Sequence, residues 1–399
     1  MDEIKDNFLK HIENGICNGA EWKIITNNNI YHDCVGFRDL NKKKKFSKNL
    51  IYKIWSMTKP VVSLAVLQLV EKEYLSLNDT LDKFIPQFKE IKILKNNAKD
   101  ISEFYISNNI PTIRQLLLHT AGFTYNSSNN ILAAEYENRK IFLKENTTLE
   151  EEIDSISHLP ILFEPGSQWH YSVSIDILAQ IIEIVTNDKL INFLKENILN
   201  PLEMHSTDFF IIEDQNKDLV ETFEFSKKIN KIQNLSIGGR KLNNYFYPLN
   251  NTEYSRGGHG LYSTVNDYSK FAQMLITGKN INEKQLISLE TLVNMRTNKL
   301  HKNFFPLEIV SVNTVKDDKY TNDLKGYGWG LGFRVLMNNT TSNPYGKIGE
   351  FGWSGYASTY FLVDPINKIS AVLMMQIIDA DRKLKQDFYD TIFKNLDNI

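Results

Sequence analysis

The chain of 399 residues has little of what several common classes of protein require. Its two cysteines, Cys17 and Cys34, are too few for a disulfide framework and lack the clustered spacing of a metal site. No apolar run approaches the roughly eighteen residues that a membrane helix needs. The charged N-terminus, MDEIKDNFLKHIENG, has no apolar segment of the kind that signal peptides contain. We therefore expect a cytoplasmic protein with no membrane insertion and no catalytic metal.

An excess of charge of one sign is also missing. Lys and Arg together number 46 and Asp and Glu number 48, so the formal net charge is −2. This balance argues against nucleic acid as the main partner, and the short run NKKKK (41–45) is typical of a solvated loop. What is present is a hydrophobic fraction of 42%, which is enough for a large core. The length exceeds that of a usual single domain and predicts two structural lobes.

Hydrophobic periodicity predicts helices and strands at both ends of the chain around a mostly helical middle. The N-terminal segment DEIKDNFLKHIENG is predicted to be a helix, followed by a hairpin of AEWKIIT and IYHDCVGFRD. Further strands are predicted at 51–55, 326–337, 346–352, 357–364 and 368–377. Further helices are predicted at 61–75, 112–122, 174–187, 267–279, 285–296 and 381–397.

This order predicts an α/β protein whose two ends build one sheet. The sheet lobe is expected to comprise residues 1–59 and 326–399, and residues 60–325 are expected to form the mostly helical lobe. Because clefts form preferentially where such units meet, the active site is expected at the junction.

The stretch IWSMTKP (54–60) places Ser56 three residues before Lys59, where a predicted helix begins. On a helix this spacing brings the amine back over the hydroxyl, and the helix N-terminus favours negative charge developing on the serine. Two interpretations stay open for the motif alone. It is either a nucleophile with an activating amine or, more commonly, a helix cap beside a solvated lysine.

Two later stretches also combine reactive and aromatic residues. EPGSQWHYSV (164–173) places Tyr171 just before a predicted helix, and FGWSGYASTYFLVDP (351–365) places Trp353 and Gly355 at the opening of a late strand. Taken singly, Tyr171 is typical of a core tyrosine packed beside Trp169. The second stretch taken singly is typical of a bulged strand with an aromatic packing residue.

Taken together and in this order, the three stretches resemble the motifs of the serine beta-lactamase and penicillin-binding-protein superfamily. The similarity is to its class C-type branch, which includes family VIII carboxylesterases and D-alanyl-D-alanine carboxypeptidase-like hydrolases. It covers most of the chain, through RQLLLHTAGF (114–123), NPLEMHSTDF (200–209), GGHGLYSTVNDYSKFAQML (257–275) and YGWGLGF (327–333). The resemblance implies a beta-lactamase/transpeptidase-like fold, with an antiparallel sheet flanked by N- and C-terminal helices and an inserted, mostly helical lobe.

The resemblance also implies catalytic roles for residues of the first two motifs. Ser56 would be the acyl-accepting nucleophile, and Lys59 would take its proton if burial or a neighbouring cation lowers the lysine pKa. Tyr171 would act as general base and later protonate the leaving group. No cofactor is implied, and the expected partner is a small ester or amide substrate.

The third motif is implied to border the cleft. The backbone N–H groups of Ser56 and Tyr356 would form an oxyanion hole, where each donor contributes roughly 3 kcal/mol to transition-state stabilisation. Gly355 would let a substrate carbonyl approach the backbone closely. Trp353 would form a wall of the substrate-binding site.

The chain departs from the family pattern at two positions. Val173 stands where beta-lactamases and transpeptidases of this class usually have the Asn of a Tyr-x-Asn motif, which removes an amide that binds the beta-lactam side chain. Trp353 stands where they usually have Lys or His, which removes a cation that would attract a substrate carboxylate. The same loss removes a charge that would lower the pKa of Tyr171. These changes favour neutral esters or amides over anionic antibiotics.

Other candidates carry less weight. His170 and His259 have no obvious acidic partner, and the chain has no Gly-x-Ser-x-Gly elbow that would support a Ser-His-Asp hydrolase. Position in the family suggests that Phe123, Thr124 and Tyr125 line the cleft, and it leaves open whether 124–165 forms a lid. The leading hypothesis is a serine hydrolase acting on small esters or amides. The alternatives are a beta-lactamase or a D-alanyl-D-alanine carboxypeptidase or D-aminopeptidase, and a non-catalytic binding or scaffold protein.

Overall fold

Strands from both ends of the chain form one seven-stranded antiparallel sheet. A computed structural model describes residues 2–144, 147–211, 213–247, 255–309, 324–340 and 343–395. The strands are β1 (Gly19–Ile25), β2 (Ile30–Gly36), β3 (Tyr52–Lys53), β4 (Ile91–Leu94), β5 (Phe104–Ser107), β6 (Phe223–Ser226), β7 (Lys231–Asn234), β8 (Tyr262–Ser263), β9 (Tyr327–Trp329), β10 (Arg334–Leu336), β11 (Phe351–Gly355), β12 (Thr359–Asp364), β13 (Ile369–Met374) and β14 (Ile377–Ile378). The order in the large sheet is β2-β1-β13-β12-β11-β10-β9.

Most helices lie between the two groups of sheet strands in sequence. They are α1 (Asp2–Glu13), α2 (Thr58–Glu71), α3 (Ile113–Leu117), α4 (Ile131–Asn138), α5 (Leu149–Ser157), α6 (Ser174–Thr186), α7 (Leu190–Leu194), α8 (Ile237–Phe246), α9 (Val265–Thr277), α10 (Leu289–Met295) and α11 (Lys383–Lys394). None of the helices in the described ranges is long and apolar enough to cross a bilayer.

The N-terminal hairpin forms one edge of the sheet and joins the C-terminal strands there. Ile25 faces Ile30 at the hairpin end of β1 and β2, and on its other edge β1 pairs with β13, where Trp22 faces Leu373. On one face α1 and α11 cover the sheet, and the ring of Phe8 stacks on Trp22 at 5.5 Å. The predicted antiparallel sheet with terminal helices is therefore confirmed.

Helix α9 and the buried helix α2 occupy the other side of the molecule. Tyr268 of α9 packs against Phe361 of β12 with ring centroids 5.2 Å apart. Residues 58–69 of α2 are all buried, because α2 is apolar on every side rather than along one stripe. The start of α2, with the Ser56 and Lys59 region, is therefore held in the interior between the sheet and the helices. The division into lobes at 1–59 with 326–399 and at 60–325 stays a prediction.

Several predicted elements are shorter in the structure than their sequence patterns suggested. The strand predicted at 326–337 is divided into β9 and β10, the strand predicted at 346–352 begins only with β11, and the helix predicted at 285–296 is limited to α10. The strand predicted at 51–55 is reduced to Tyr52–Lys53, and it pairs with β8 rather than with the large sheet. The chain then turns because Trp55 has a φ of +48° and begins a 3₁₀ turn. The helix predicted at 112–122 is limited to α3. It starts at a capping box formed by Thr112 and Gln115, and the backbone at His119 has a φ of +56°.

Candidate active site

Ser56 lies on the 3₁₀ turn Trp55–Met57, directly before α2. The backbone N–H of Ile54 donates to the carbonyl of Leu261 at 3.0 Å, and that of Trp55 donates to the phenol oxygen of Tyr247 at 2.6 Å. The acceptors of both bonds lie more than 190 positions later in the chain. The bonds hold Trp55 in a left-handed conformation that a non-glycine residue rarely adopts. This strained turn positions Ser56 at the N-terminal end of α2.

Lys59 lies in the first turn of α2, with only 1% of its surface exposed. Its Nζ donates to Ser56 Oγ at 3.3 Å and to the carbonyl oxygen of Gly258 at 2.6 Å. The ammonium group also lies over the rings of Tyr125 and Tyr171, 5.1 Å and 4.8 Å from their centroids. The predicted pairing of amine and hydroxyl across one helical turn is thus present in the structure.

The environment of Lys59 favours its neutral form. Burial lowers the pKa of Lys59 to about 7, and the negative charge of Asp176 acts in the opposite direction. A substantial fraction of the amine is therefore unprotonated near neutral pH, as a proton acceptor for Ser56 requires.

Asp176 is a buried carboxylate that sequence reasoning missed. It is 0% exposed in the first turn of α6, and its Oδ1 accepts a hydrogen bond from the N–H of Gly258 at 2.9 Å. Gly258 thus uses its N–H for Asp176 and its carbonyl for Lys59. Burial raises the pKa of Asp176, and Lys59 opposes that shift. The available sequence indication was a carboxylate within the otherwise apolar segment SIDILAQIIEIV (174–185).

Tyr171 precedes α6, and its phenol oxygen accepts a hydrogen bond from the indole N–H of Trp353 at 3.1 Å. Burial raises the pKa of Tyr171 above its ordinary value, while the nearby Ser56 hydroxyl and the Trp353 N–H act in the opposite direction. The phenol is therefore protonated at neutral pH. Trp353 is more than the apolar wall expected from the sequence, because it also supplies a donor that stabilises negative charge on Tyr171.

Aromatic rings enclose Tyr171 on several sides. Its ring centroid lies 4.7 Å from that of His119, 5.2 Å from Trp353 and 6.2 Å from Trp329. The rings of Trp329 and Trp353 pack edge to face at 4.6 Å. His119 and Trp329 were not singled out from the sequence, although both lie in stretches that carried the family resemblance. Their packing fixes the orientation of Tyr171 in an apolar surrounding.

The two histidines weighed as candidates have environments that keep them neutral. The Nε2 of His170 lies 3.0 Å from the Thr124 hydroxyl, and burial lowers the pKa of His170 to about 4. Burial also lowers the pKa of His259 well below its ordinary value, and the charges of Arg256 and Lys59 add to that effect. His259 is buried and His170 is half-buried, and both are neutral, in agreement with a structural role.

The end of β11 lies against the backbone that leads into Ser56. A Cβ at Gly355 would overlap the carbonyl oxygen of Ile54 and the hydroxyl of Thr359, so only glycine fits there. The hydroxyl of Thr359 donates to the same Ile54 carbonyl at 3.2 Å. The close approach at Gly355 is therefore made by the chain's own backbone. It sets β11 beside the Ser56 turn.

Tyr356 follows directly, with its ring 5.4 Å from that of Trp55. Within the part of the chain that the structure describes, neither the backbone N–H of Ser56 nor that of Tyr356 has a hydrogen-bond partner. Two backbone donors near the Ser56 turn are thus available to a ligand. Their assignment as an oxyanion hole stays a prediction.

The three residues expected to line the cleft, 123–125, each have different contacts. Tyr125 contacts Lys59 and Tyr171, Thr124 holds His170, and Phe123 packs against Phe88 in the core. The possible lid over 124–165 includes positions outside the described residues and stays untested. Among the residues described, no three His, Cys, Asp or Glu side chains are placed to hold a metal ion.

Comparison with known proteins identifies the class to which this fold and site belong. The model of the Beta-lactamase family matches residues 5–390, so the chain is a member of that family. The resemblance inferred from the three motifs is thereby confirmed. The fold is shared with EstCE1, described as a hydrolase with promiscuous acyltransferase activity, at a TM-score of 0.79 and 20% identity over 98% of both chains.

Named relatives in sequence include two esterases. Lovastatin esterase of Penicillium rubens is 25% identical over 387 residues, which are 92% of this chain and 91% of that protein. Esterase EstB of Burkholderia gladioli is 23% identical over 356 residues, covering 86% of this chain and 82% of the relative. The chain is therefore similar over nearly its whole length to members of the family that are named as esterases.

Proposed function

We propose that this protein is a serine hydrolase that forms an acyl-enzyme on Ser56 and acts on small carboxylic esters or amides. The observation that carries the proposal is the 3.3 Å contact between Ser56 Oγ and Lys59 Nζ, in a place where burial brings the pKa of Lys59 to about 7. Tyr171 contacts the same lysine through its ring and lies beside the serine. A hydroxyl, a neutral amine and a phenol at one point are the components of acyl transfer.

In acylation, the neutral Lys59 amine takes the proton of Ser56 as Oγ attacks the substrate carbonyl carbon. The carbonyl oxygen becomes an oxyanion that accepts hydrogen bonds from the N–H groups of Ser56 and Tyr356. The C–O or C–N bond to the leaving group then breaks. The acyl group stays on Oγ, and the proton gained by Lys59 is available for return.

Tyr171 is assigned to protonate the leaving group. The phenol is protonated at neutral pH because burial raises its pKa, so it suits an acid better than a base in the free enzyme. The N–H of Trp353 stabilises the phenolate that remains until Lys59 returns its proton. In deacylation the neutral Lys59 amine takes a proton from water as the water oxygen attacks the acyl carbon. The bond from the acyl carbon to Ser56 Oγ then breaks, the Lys59 ammonium group returns the proton to Oγ, and the carboxylic acid leaves.

The walls of the site support a neutral substrate. Trp353 occupies the position where a cation would bind a carboxylate, and the buried Val173 occupies that of the amide that would bind a beta-lactam side chain. Two relatives are named as esterases, which agrees with this substrate class. Beta-lactamase or carboxypeptidase activity is the less favoured alternative. A purely binding role does not explain why Ser56, Lys59 and Tyr171 lie together.

The test is to incubate the purified protein with a fluorophosphonate and with p-nitrophenyl butyrate, and to locate any adduct by mass spectrometry. We expect an adduct on Ser56 and ester turnover that Ser56→Ala abolishes. Ser63→Ala is the matched control, since it removes a buried hydroxyl from α2 that has no hydrogen-bond partner among the described residues. An unlabelled, folded protein, or full turnover in Ser56→Ala, would contradict the proposal.

A further inference from the structure

A second concave site lies at the C-terminal end of α6. It is a groove of about 620 Å³ between the turn at residues 84–87, the first half of α5, and the end of α6 with the turn that follows. No residue assigned above to the candidate active site lines this groove. The seven residue steps from Asp176, which acts on Lys59, to Glu183, in the groove, span about 10 Å of helix. The groove is therefore a separate site on the far end of the same helix.

Negative charge dominates the groove. The residues that line it carry four carboxylates and one ammonium group. The carboxylates belong to Glu150, Asp154, Glu183 and Asp188, and the ammonium group belongs to Lys189. The carbonyl groups at the C-terminus of α6 add partial negative charge at the same end. Burial raises the pKa of the Glu183 carboxyl, while the Leu190 N–H and the charge of Lys189 oppose that shift. The charges of Asp188 and Glu150 add to the rise to a smaller extent. A positive ligand would relieve this repulsion.

Gln180 provides an independent indication of a ligand. This side chain lines the groove, is only 7% exposed, and has an Oε1 without a hydrogen-bond partner among the described residues. A buried amide oxygen that accepts no hydrogen bond is costly in the free protein. An N–H donor from a ligand would satisfy this oxygen once the side chain rotates it from its enclosed position towards the groove.

The other residues that line the groove indicate which kind of cation it would bind. Phe84, Ile85, Pro86, Ile153 and Ile184 give the groove an apolar lining in addition to the carboxylates, and Ile184 is an exposed hydrophobic residue. An alkyl chain can cover this surface. Within the described residues, the carboxylates are not clustered as metal ligands would be. The separated charges match an elongated organic cation better than a metal ion.

We propose that this groove, which the Ser56 chemistry does not use, binds an aliphatic diamine or polyamine. One ammonium group contacts Glu183 and Asp188 at the end of α6, and its N–H groups satisfy Gln180. The alkyl chain lies on the apolar residues, and a further ammonium group reaches Glu150 and Asp154. The proposal stands or falls independently of the hydrolase assignment.

The test is isothermal titration calorimetry of the full-length protein with spermidine at low and moderate ionic strength. The double variant Glu183→Gln/Asp188→Asn keeps the side-chain oxygens that accept from the Leu190 and Lys189 backbone, so it changes charge without removing these bonds. We expect its dissociation constant to rise about tenfold. Gln180→Leu is expected to weaken binding as well. Turnover of p-nitrophenyl butyrate is expected to stay unchanged in both variants.

The matched control is Glu13→Gln/Glu290→Gln, which makes the same change in net charge at exposed sites outside the groove. Equal weakening in this control would show diffuse attraction to an acidic surface and would overturn the proposal. So would the absence of saturable spermidine binding by the wild-type protein. Binding of Mg²⁺ alone, lost in the double variant, would replace the proposed amine site with a metal site.

Discussion

Lys53 and Lys59 stand three residues before and three residues after Ser56, and both are buried. Burial lowers the pKa of Lys53 to about 8 and that of Lys59 to about 7. Lys59 is on a helix, so its amine returns to the Ser56 hydroxyl. Lys53 is on the short strand β3, and its amine lies over the ring of Tyr247 instead. Burial makes either lysine a possible base, and the local backbone decides which one contacts the serine.

The largest effect is expected from removing the amine beside Ser56. Lys59→Met should lower kcat by roughly 10³-fold, because Ser56 then has no proton acceptor. Lys53→Met is the matched control, since it also removes a buried amine from the same segment. We expect the control to keep kcat within about threefold of wild type. Steady-state hydrolysis of p-nitrophenyl butyrate measures kcat of both variants. Similar losses of kcat would show that Lys59 has no special role as the proton acceptor of Ser56.

A smaller loss is expected when the donor to Tyr171 is removed. Trp353→Phe keeps an aromatic ring but deletes the N–H that stabilises the phenolate, so kcat should fall roughly tenfold. Trp169→Phe is the control, because the Trp169 indole N–H has no partner among the described residues. Measuring kcat and KM separately distinguishes loss of assistance to Tyr171, which lowers kcat, from loss of a substrate contact, which raises KM. A change in KM alone would show that Trp353 contacts substrate without assisting Tyr171.

A shift in pH dependence is expected when the carboxylate near Lys59 is neutralised. The charge of Asp176 raises the pKa of Lys59, so Asp176→Asn should lower that pKa further. The acidic limb of kcat/KM, which reports deprotonation of Lys59 in the free enzyme, should move to lower pH by about one unit. The wild-type limb is expected near pH 7. An unmoved limb would mean that another group controls it.

The smallest effect is expected on stability. Both lysines have folded-state pKa values below the ordinary value of 10.5, so the unfolded chain binds more protons than the folded protein between pH 7 and 10.5. Unfolding free energy therefore rises with pH in that window, by at most about 1.4 kcal/mol per pH unit for each lysine.

Lys59→Met should flatten this rise from pH 7 upwards, and Lys53→Met only from about pH 8. Urea denaturation at several pH values measures both slopes. A steeper slope in either variant than in wild type would contradict the assignment of lowered pKa values.

The sequence predicted elements whose determinants are local. The hairpin of β1 and β2 and the apolar helix α6 follow from patterns within a few residues, and both are present. The strand predicted at 51–55 ended early because Trp55 is held by Tyr247, almost two hundred residues later in the chain. No local pattern reports such a contact.

The same reasoning applies to the site. Ser56, Lys59, Tyr171 and Trp353 could be selected by motif order, and the structure brings them into contact, while their catalytic roles stay predictions. For Asp176 the sequence offered only a carboxylate within an apolar segment, because its contact is with the backbone of Gly258, which is distant in sequence and contributes no side chain.

Gly258 also has a consequence for how this protein can be altered. Its two backbone polar groups connect helices α2 and α6 through Lys59 and Asp176. A Cβ there would overlap the carboxylate of Asp176 and press on the phenol oxygen of Tyr125. Alanine scanning therefore cannot measure what the position contributes, because the variant adds a clash without removing either bond. In a library built to change substrate preference, we expect this codon to tolerate no replacement, even though it encodes no functional group.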